Sequence, residues 1–128
     1  MSSQPPVRNE SNTVKFDTGA QRRDIGPLKY HLIPPGPLRR LANRYGLGAI
    51  NYGPDNWRKG IPYSEMINHI EEHIARFKEK NVSDDDLAGI AWGALTLMWY
   101  EDHPEIAAKC DDRWAEDGTD LRGSDSKS

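Results

Sequence analysis

"SDDDLAGIAWGALTLMWYE", residues 83–101, decides how the rest of the chain must be read. From Leu87 to Tyr100 the run is apolar nearly all round, with Thr96 its only clearly polar side chain. Ser83 and Asp86 make a Ser-x-x-Asp pattern resembling a capping box, and three acids at a helix start suit its macrodipole. The spacing predicts a helix to about Tyr100, buried on most sides. Gly89, Gly93, Ala88, Ala91 and Ala94 would let neighbouring elements approach closely. At 14 residues the run falls short of the roughly 20 needed to span a bilayer. One small chain can hardly wrap such a helix completely, so a helical homodimer is expected to complete the burial.

Working outward, residues 64–80 form a second helix, with Ser64 as its expected cap. Met66, Ile67, Ile70, Ile74 and Phe77 fall on one stripe of a 100° wheel. His69-Ile-Glu-Glu-His73 matches an inverted zinc-protease pattern. Helix geometry splits that match, because Glu71 lies on the opposite flank from the histidines. Upstream, Pro37 suits a first helical position, and Leu38, Leu41, Ala42, Tyr45 and Ala49 follow at helical spacing. A helix over about 37–52 is expected. Arg39, Arg40 and Arg44 read as its solvated face, and residues 52–64 as a loop.

Residues 15–36, dense in glycine and proline, read as an irregular arm. The polar stretches 1–14 and 109–128 read as tails, the second with Trp114 as a candidate anchor. The expected domain is therefore 15–108: an all-α small helical bundle with an irregular N-terminal arm. The chain has 128 residues, 36% hydrophobic and 29% charged, with a net charge of −3. That balance speaks against a nucleic-acid partner, which would call for a basic surface. The single cysteine, Cys110, excludes an internal disulfide and fits a cytoplasmic location. Nothing beside it forms a nucleophile–base pair, and an inert thiol is expected. No apolar leader precedes the domain and no membrane partner is expected.

Two antiparallel helices joined by a short loop would bring His69 and Glu72, with Glu65 or His73, towards Asp86 and Asp85. Carboxylates converging on such a seam suit a hard divalent ion, Mg²⁺ or Mn²⁺. Glu72, Asp86 and His69 are the leading metal-holding or catalytic residues; His73, Glu65 and Asp85 come next. The loop adds Asn56, Trp57, Arg58, Lys59 and Tyr63, cations for phosphate and flat faces for a base, and the arm adds Arg23 and Lys29. Simpler roles compete with these: a solvated flank with i,i+4 pairs for the histidines and glutamates, a capped helix start for the aspartates, a core plug for Trp57.

Several pieces are more specific: Gly-Ala-x-x-Arg, Leu-Ile-Pro-Pro, Tyr-Gly-x-x-Asn-Trp-x-x-Gly-x-Pro-Tyr and the Leu-Ala-x-x-x-Trp of the third helix. Over about residues 17–101 the chain resembles a phage and prophage family, the dATP/dGTP diphosphohydrolase N-terminal family. That family looks related to the all-α MazG-like nucleotide pyrophosphohydrolases. The resemblance implies hydrolysis of a purine dNTP (dATP or dGTP) to dNMP and pyrophosphate with Mg²⁺ or Mn²⁺, in the host cytoplasm if phage-encoded. MazG-like enzymes carry Glu-Glu-x-x-Glu on one helix and Glu-x-x-Asp on the next. Here Glu71-Glu72 is followed by Ala75, and Asp86 by Gly89. That thinner acidic set leaves two alternatives: a non-catalytic module that sequesters a nucleotide, an immune signal of the host included, and a helical interaction or virion-associated protein.

Overall fold

The computed structural model describes residues 7–8 and 12–114. Two compact units divide the chain, Met1–Ile33 and Pro34–Ser128. The first holds a three-stranded antiparallel sheet in the order β1 (Val7–Arg8), β2 (Thr13–Lys15), β3 (Gln21–Arg23). Val14 pairs with Arg8 on one side and Arg22 on the other. The expected irregular arm is thus a small meander, and part of the stretch read as a tail supplies β1 and the start of β2. Its turn chemistry lies in Asp17-Thr18-Gly19. The Phe16 N–H donates to the Ala20 carbonyl at 2.8 Å, and Gly19 sits at φ +92°, where a side chain would be strained. Strands of two or three residues carry too short an alternation to stand out in the sequence.

The second unit is helical: α1 (Pro35–Tyr52), α2 (Tyr63–Lys78), α3 (Asp86–Glu101) and α4 (Pro104–Cys110), with a 3₁₀ turn at Asn56–Lys59. The expected all-α bundle is therefore the architecture of this unit. Among the described residues no helix is long and apolar enough to cross a membrane. α3 is the central element and packs against α1, α2 and α4. Its glycines set the spacing to α2. A Cβ on Gly93 would lie 2.6 Å from Ile70 Cγ1, and one on Gly89 would lie 2.5 Å from His73 Nε2. The small residues thus serve close helix packing, as their pattern predicts.

Below the glycines lies a core of Tyr63, Met66, Tyr100 and Cys110, flanked by Trp57, Ile61, Trp99 and Ile106. Tyr100 is wholly buried. Its hydroxyl donates to the Trp57 carbonyl at 2.6 Å and accepts the Ile61 N–H at 3.1 Å, tying α3 to the loop before α2. Thr96, also wholly buried, shares a 3.1 Å hydroxyl–hydroxyl bond with Tyr45 of α1. Among the described residues no buried side-chain nitrogen or oxygen lacks a partner.

Three local expectations are corrected. Ser64 does not cap α2; the cap position is Pro62. The Ser64 N–H and hydroxyl both donate to Asp112, at 2.8 and 2.5 Å, so a carboxylate distant in sequence serves that helix start. Ser83 does not cap α3 either. Asp85 does, accepting the Ala88 N–H at 3.2 Å, while the Ser83 hydroxyl donates to Asn81. Finally, the ordered bundle runs past residue 108. α4 ends at Cys110, which is buried against Gly60, and burial pushes its thiol pKa up, as suits an inert sulfur. Trp114 is exposed; the remainder of the expected tail lies outside the described residues.

α3 is not sheathed on every side. Leu87, Ala91, Ala94, Leu95 and Met98 are exposed along one helical line.

Candidate functional site

α2 and α3 meet at their loop-side ends, where Glu79–Asp85 connects them. The first turn of α3 places Asp86 inward with only 2% of its side chain exposed. Its Oδ1 lies 2.9 Å from His73 Nδ1, the imidazole N–H donating, and its Oδ2 receives the Asn81 amide at 3.4 Å. Asp84 completes a cluster: His73, Asp84 and Asp86 each offer a ligand atom, all within 4.8 Å of one another. Two carboxylates and an imidazole form a donor set that suits Mg²⁺ or Mn²⁺. With the imidazole proton moved to Nε2, the 2.9 Å separation of Nδ1 and Oδ1 is also what adjacent ligands at about 2.1 Å from one ion require. In donor chemistry the residues therefore fit the metal.

Two arginines of α1 attend the same end. Arg40 makes a bidentate pair with Asp85 at 2.6 and 2.8 Å, holding that carboxyl at about 2, well below its usual range. Arg44 donates to Asp84 Oδ2 at 3.2 Å and to the Asp85 carbonyl at 3.0 Å. Burial pushes the Asp84 carboxyl up, but the Arg44 guanidinium outweighs it and the net shift is downward. Arg44 is thus a partly buried bridge, with 22% of its side chain exposed, and not the solvated α1 residue its position predicts.

Beside this cluster opens a cavity of about 500 Å³, within the range of small-molecule sites. Its floor includes Gly89 and Gly93. Tyr45, Trp57 and Trp92 supply aromatic walls, with Tyr45 edge-on to Trp57 at 5.6 Å and tilted on Trp92 at 6.1 Å. Glu65, His69 and His73 line it at four-residue intervals along α2, together with Arg44, Asn51 and Asn56.

Of the residues expected at the site, the structure gathers Asn56, Trp57, Glu65, His69 and His73 around this cavity, while Asp85 and Asp86 line a separate acidic groove that shares Arg44 with it. Trp57 lines the cavity and also packs on the core. Glu72 stands apart. It accepts from Arg76 at 3.1 Å and is 62% exposed, because adjacent helical residues point about 100° apart and His73 takes the direction of Asp86. The expected His69–Glu72–Asp86 seam is therefore replaced by His73–Asp84–Asp86. Tyr63 is 3% exposed and stacked on Tyr100, so it is core and not a base platform. Arg58 lies over the Trp57 and Trp99 rings and pairs with Asp55. Neither Arg58 nor Lys59 lines the cavity. Arg23, in β3, and Lys29 belong to the first unit, and both are exposed.

Two contributors escaped the sequence: Asp84, indistinguishable from its neighbours within a run of acids, and Arg44, one of three arginines on α1. Only the turn geometry and the gap at Gly89 single them out. An added Cβ there would meet His73 Nε2 at 2.5 Å and Arg44 Nη2 at 2.7 Å. Gly89→Ala is accordingly expected to retain helical circular dichroism, helped by about 1 kcal/mol of helix propensity. The same change is expected to displace His73 and Arg44, read as shifts of their side-chain NMR resonances.

Fold and site together define a helical domain with an aromatic-walled cavity opening onto a carboxylate–histidine cluster. The chain belongs to the family described as dATP/dGTP diphosphohydrolase, N-terminal, whose sequence model matches residues 17–113. Searches of curated proteins and of solved structures returned no match.

Proposed function

We propose that the chain is a nucleoside triphosphate pyrophosphohydrolase that cleaves a purine dNTP, dATP or dGTP, to dNMP and pyrophosphate with a divalent metal. The observation that carries this reading is the cavity of Tyr45, Trp57 and Trp92 abutting the cluster of His73, Asp84 and Asp86. A flat base against the aromatic wall would direct its phosphates towards Arg44 and the acidic groove beyond it. His73, Asp84 and Asp86 would hold the metal. A Mg²⁺ or Mn²⁺ there would supply charge neutralisation and an activated water. The chain's own share is positioning: Asp86 orients the His73 ring, Arg44 meets phosphate oxygens, and Asn51 and Asn56 offer amides to the base or sugar. Incubation of the protein with dGTP or dATP and Mn²⁺ is expected to yield the monophosphate and pyrophosphate; intact triphosphate after prolonged incubation overturns the reading.

A second reading, nucleotide sequestration without turnover, is favoured by one observation: Arg40 and Arg44 already pair with Asp85 and Asp84. It requires nucleotide binding that neither needs nor responds to metal.

Pairing with a second copy belongs to the first reading. The exposed line from Leu87 to Met98 carries no charge and has alanines at its middle, so it can lie against itself across a two-fold axis. Leu95→Glu on this face is expected to convert a dimer to monomer in sedimentation, with the secondary structure kept.

A further inference from the structure

Arg44 stands between the two halves of the site. Arg44 lines the aromatic cavity and also the acidic groove that Arg40, Asn81 and Asp84–Asp86 line. Its Nη2 bonds Asp84 Oδ2 at 3.2 Å and the Asp85 carbonyl at 3.0 Å. Asp84 is one of the three residues that fit a metal. A cation cannot draw fully on a carboxylate that a guanidinium already neutralises a few ångströms away. The same guanidinium is the cavity's arginine and the natural partner for a phosphate entering it.

We infer that Arg44 is a substrate-responsive mask: paired with Asp84 it weakens metal binding in the nucleotide-free protein, and a phosphate in the cavity draws it off, opening Asp84 to the metal. This rests on the proposed metal-dependent reading and extends it to an order of events. The metal site reaches full affinity only once a phosphorylated ligand has arrived. Free protein would then not bind metal idly, and ligands lacking phosphate would not complete the site. The coupling is a differential-affinity effect of the ordinary size for two linked sites, about 5- to 150-fold.

The mask makes an unusual demand on a single substitution: its two effects must have opposite sign. In Arg44→Gln without nucleotide, Mn²⁺ affinity measured by titration calorimetry or Mn²⁺ electron paramagnetic resonance is expected to rise about tenfold. In the same variant, affinity for dGTP in EDTA is expected to fall about tenfold, because the phosphate loses its guanidinium. Arg40→Gln removes a like charge from the exposed Asp85 pair and calibrates the general electrostatic effect. It is expected to raise Mn²⁺ affinity less than Arg44→Gln and to leave dGTP binding unchanged.

A fall of both affinities in Arg44→Gln marks structural damage by loss of a support and overturns the mask, as does an unchanged Mn²⁺ affinity. If Mn²⁺ still binds wild type and is lost in Asp86→Asn, only the mask fails and the metal-dependent reading stands. Absence of Mn²⁺ binding in wild type and Arg44→Gln alike overturns both.

Discussion

Under the proposed function, Asp86→Asn is expected to reduce dNTP turnover by about 100-fold or more while the protein stays folded. The side chain keeps its size, so the packing at the start of α3 is preserved. What changes is charge and donor count. Asp86 is 98% shielded, and its two oxygens serve His73 and Asn81 from opposite sides. An amide can offer one oxygen, to His73, and must then turn its NH₂ on the Asn81 NH₂, setting donor against donor. The alternative flip satisfies Asn81 and forces His73 onto its other tautomer, with Nδ1 accepting from the new NH₂. The first arrangement strands a polar group at a cost of about 1–3 kcal/mol, and the second turns the imidazole proton away from this side of the site. The carboxylate that would serve a divalent ion is also gone. The paired measurement is initial rate against thermal melting. A large rate loss with a modest melting shift is the expected result; a normal rate would remove Asp86 from the site.

Tyr100 carries the largest expected effect on stability. Tyr100→Ala empties a wholly buried aromatic position and is expected to cost about 3–5 kcal/mol. It also strands the Trp57 carbonyl and the Ile61 N–H. Tyr100→Phe isolates that second effect: the ring and its stacking on Tyr63 remain, and the loss of the hydroxyl is expected to cost about 1–3 kcal/mol. Chemical denaturation of both variants separates the two contributions. The same hydroxyl makes a pH prediction. Burial pushes its pKa up from 10.0 to about 12. The folded state therefore holds this proton more tightly than the unfolded state does. Its stabilising contribution is whole below pH 10 and declines as pH rises towards 12, where the folded phenol itself ionises. Tyrosinate absorbance and denaturation followed across that window should show the loss in wild type and a smaller one in Tyr100→Phe, where burial still raises Tyr45 and Tyr63.

The helical architecture was legible because its signals are periodic and local. The apolar run after Asp86, the stripe from Met66 to Phe77 and the proline-led start of α1 all recur at the spacing that burial of one face demands. Gly89 and Gly93 announced close packing for the same reason. The short strands about Val14 and the seven-residue α4 carry too little pattern to register; pairing with neighbouring strands orders the first and packing on α3 the second. The caps show the same limit: a Ser-x-x-Asp pattern fits Ser83, but turn geometry gave that role to Asp85.

The site divides along this line. By itself the sequence determined the helices, the family-specific motifs, the aromatic and amide character of the loop at Asn56 and Trp57, and the presence of acids and histidines near one end of a helix pair. Only the tertiary structure decided which of them meet. Glu72 and His73 are neighbours in the chain, yet a rotation of about 100° sends one to solvent with Arg76 and the other to Asp86. Arg44 and Asp84 are forty residues apart, and no local pattern links them. Their pairing exists because the missing side chain at Gly89 lets α1 and α2 project a guanidinium and an imidazole onto the same patch of α3.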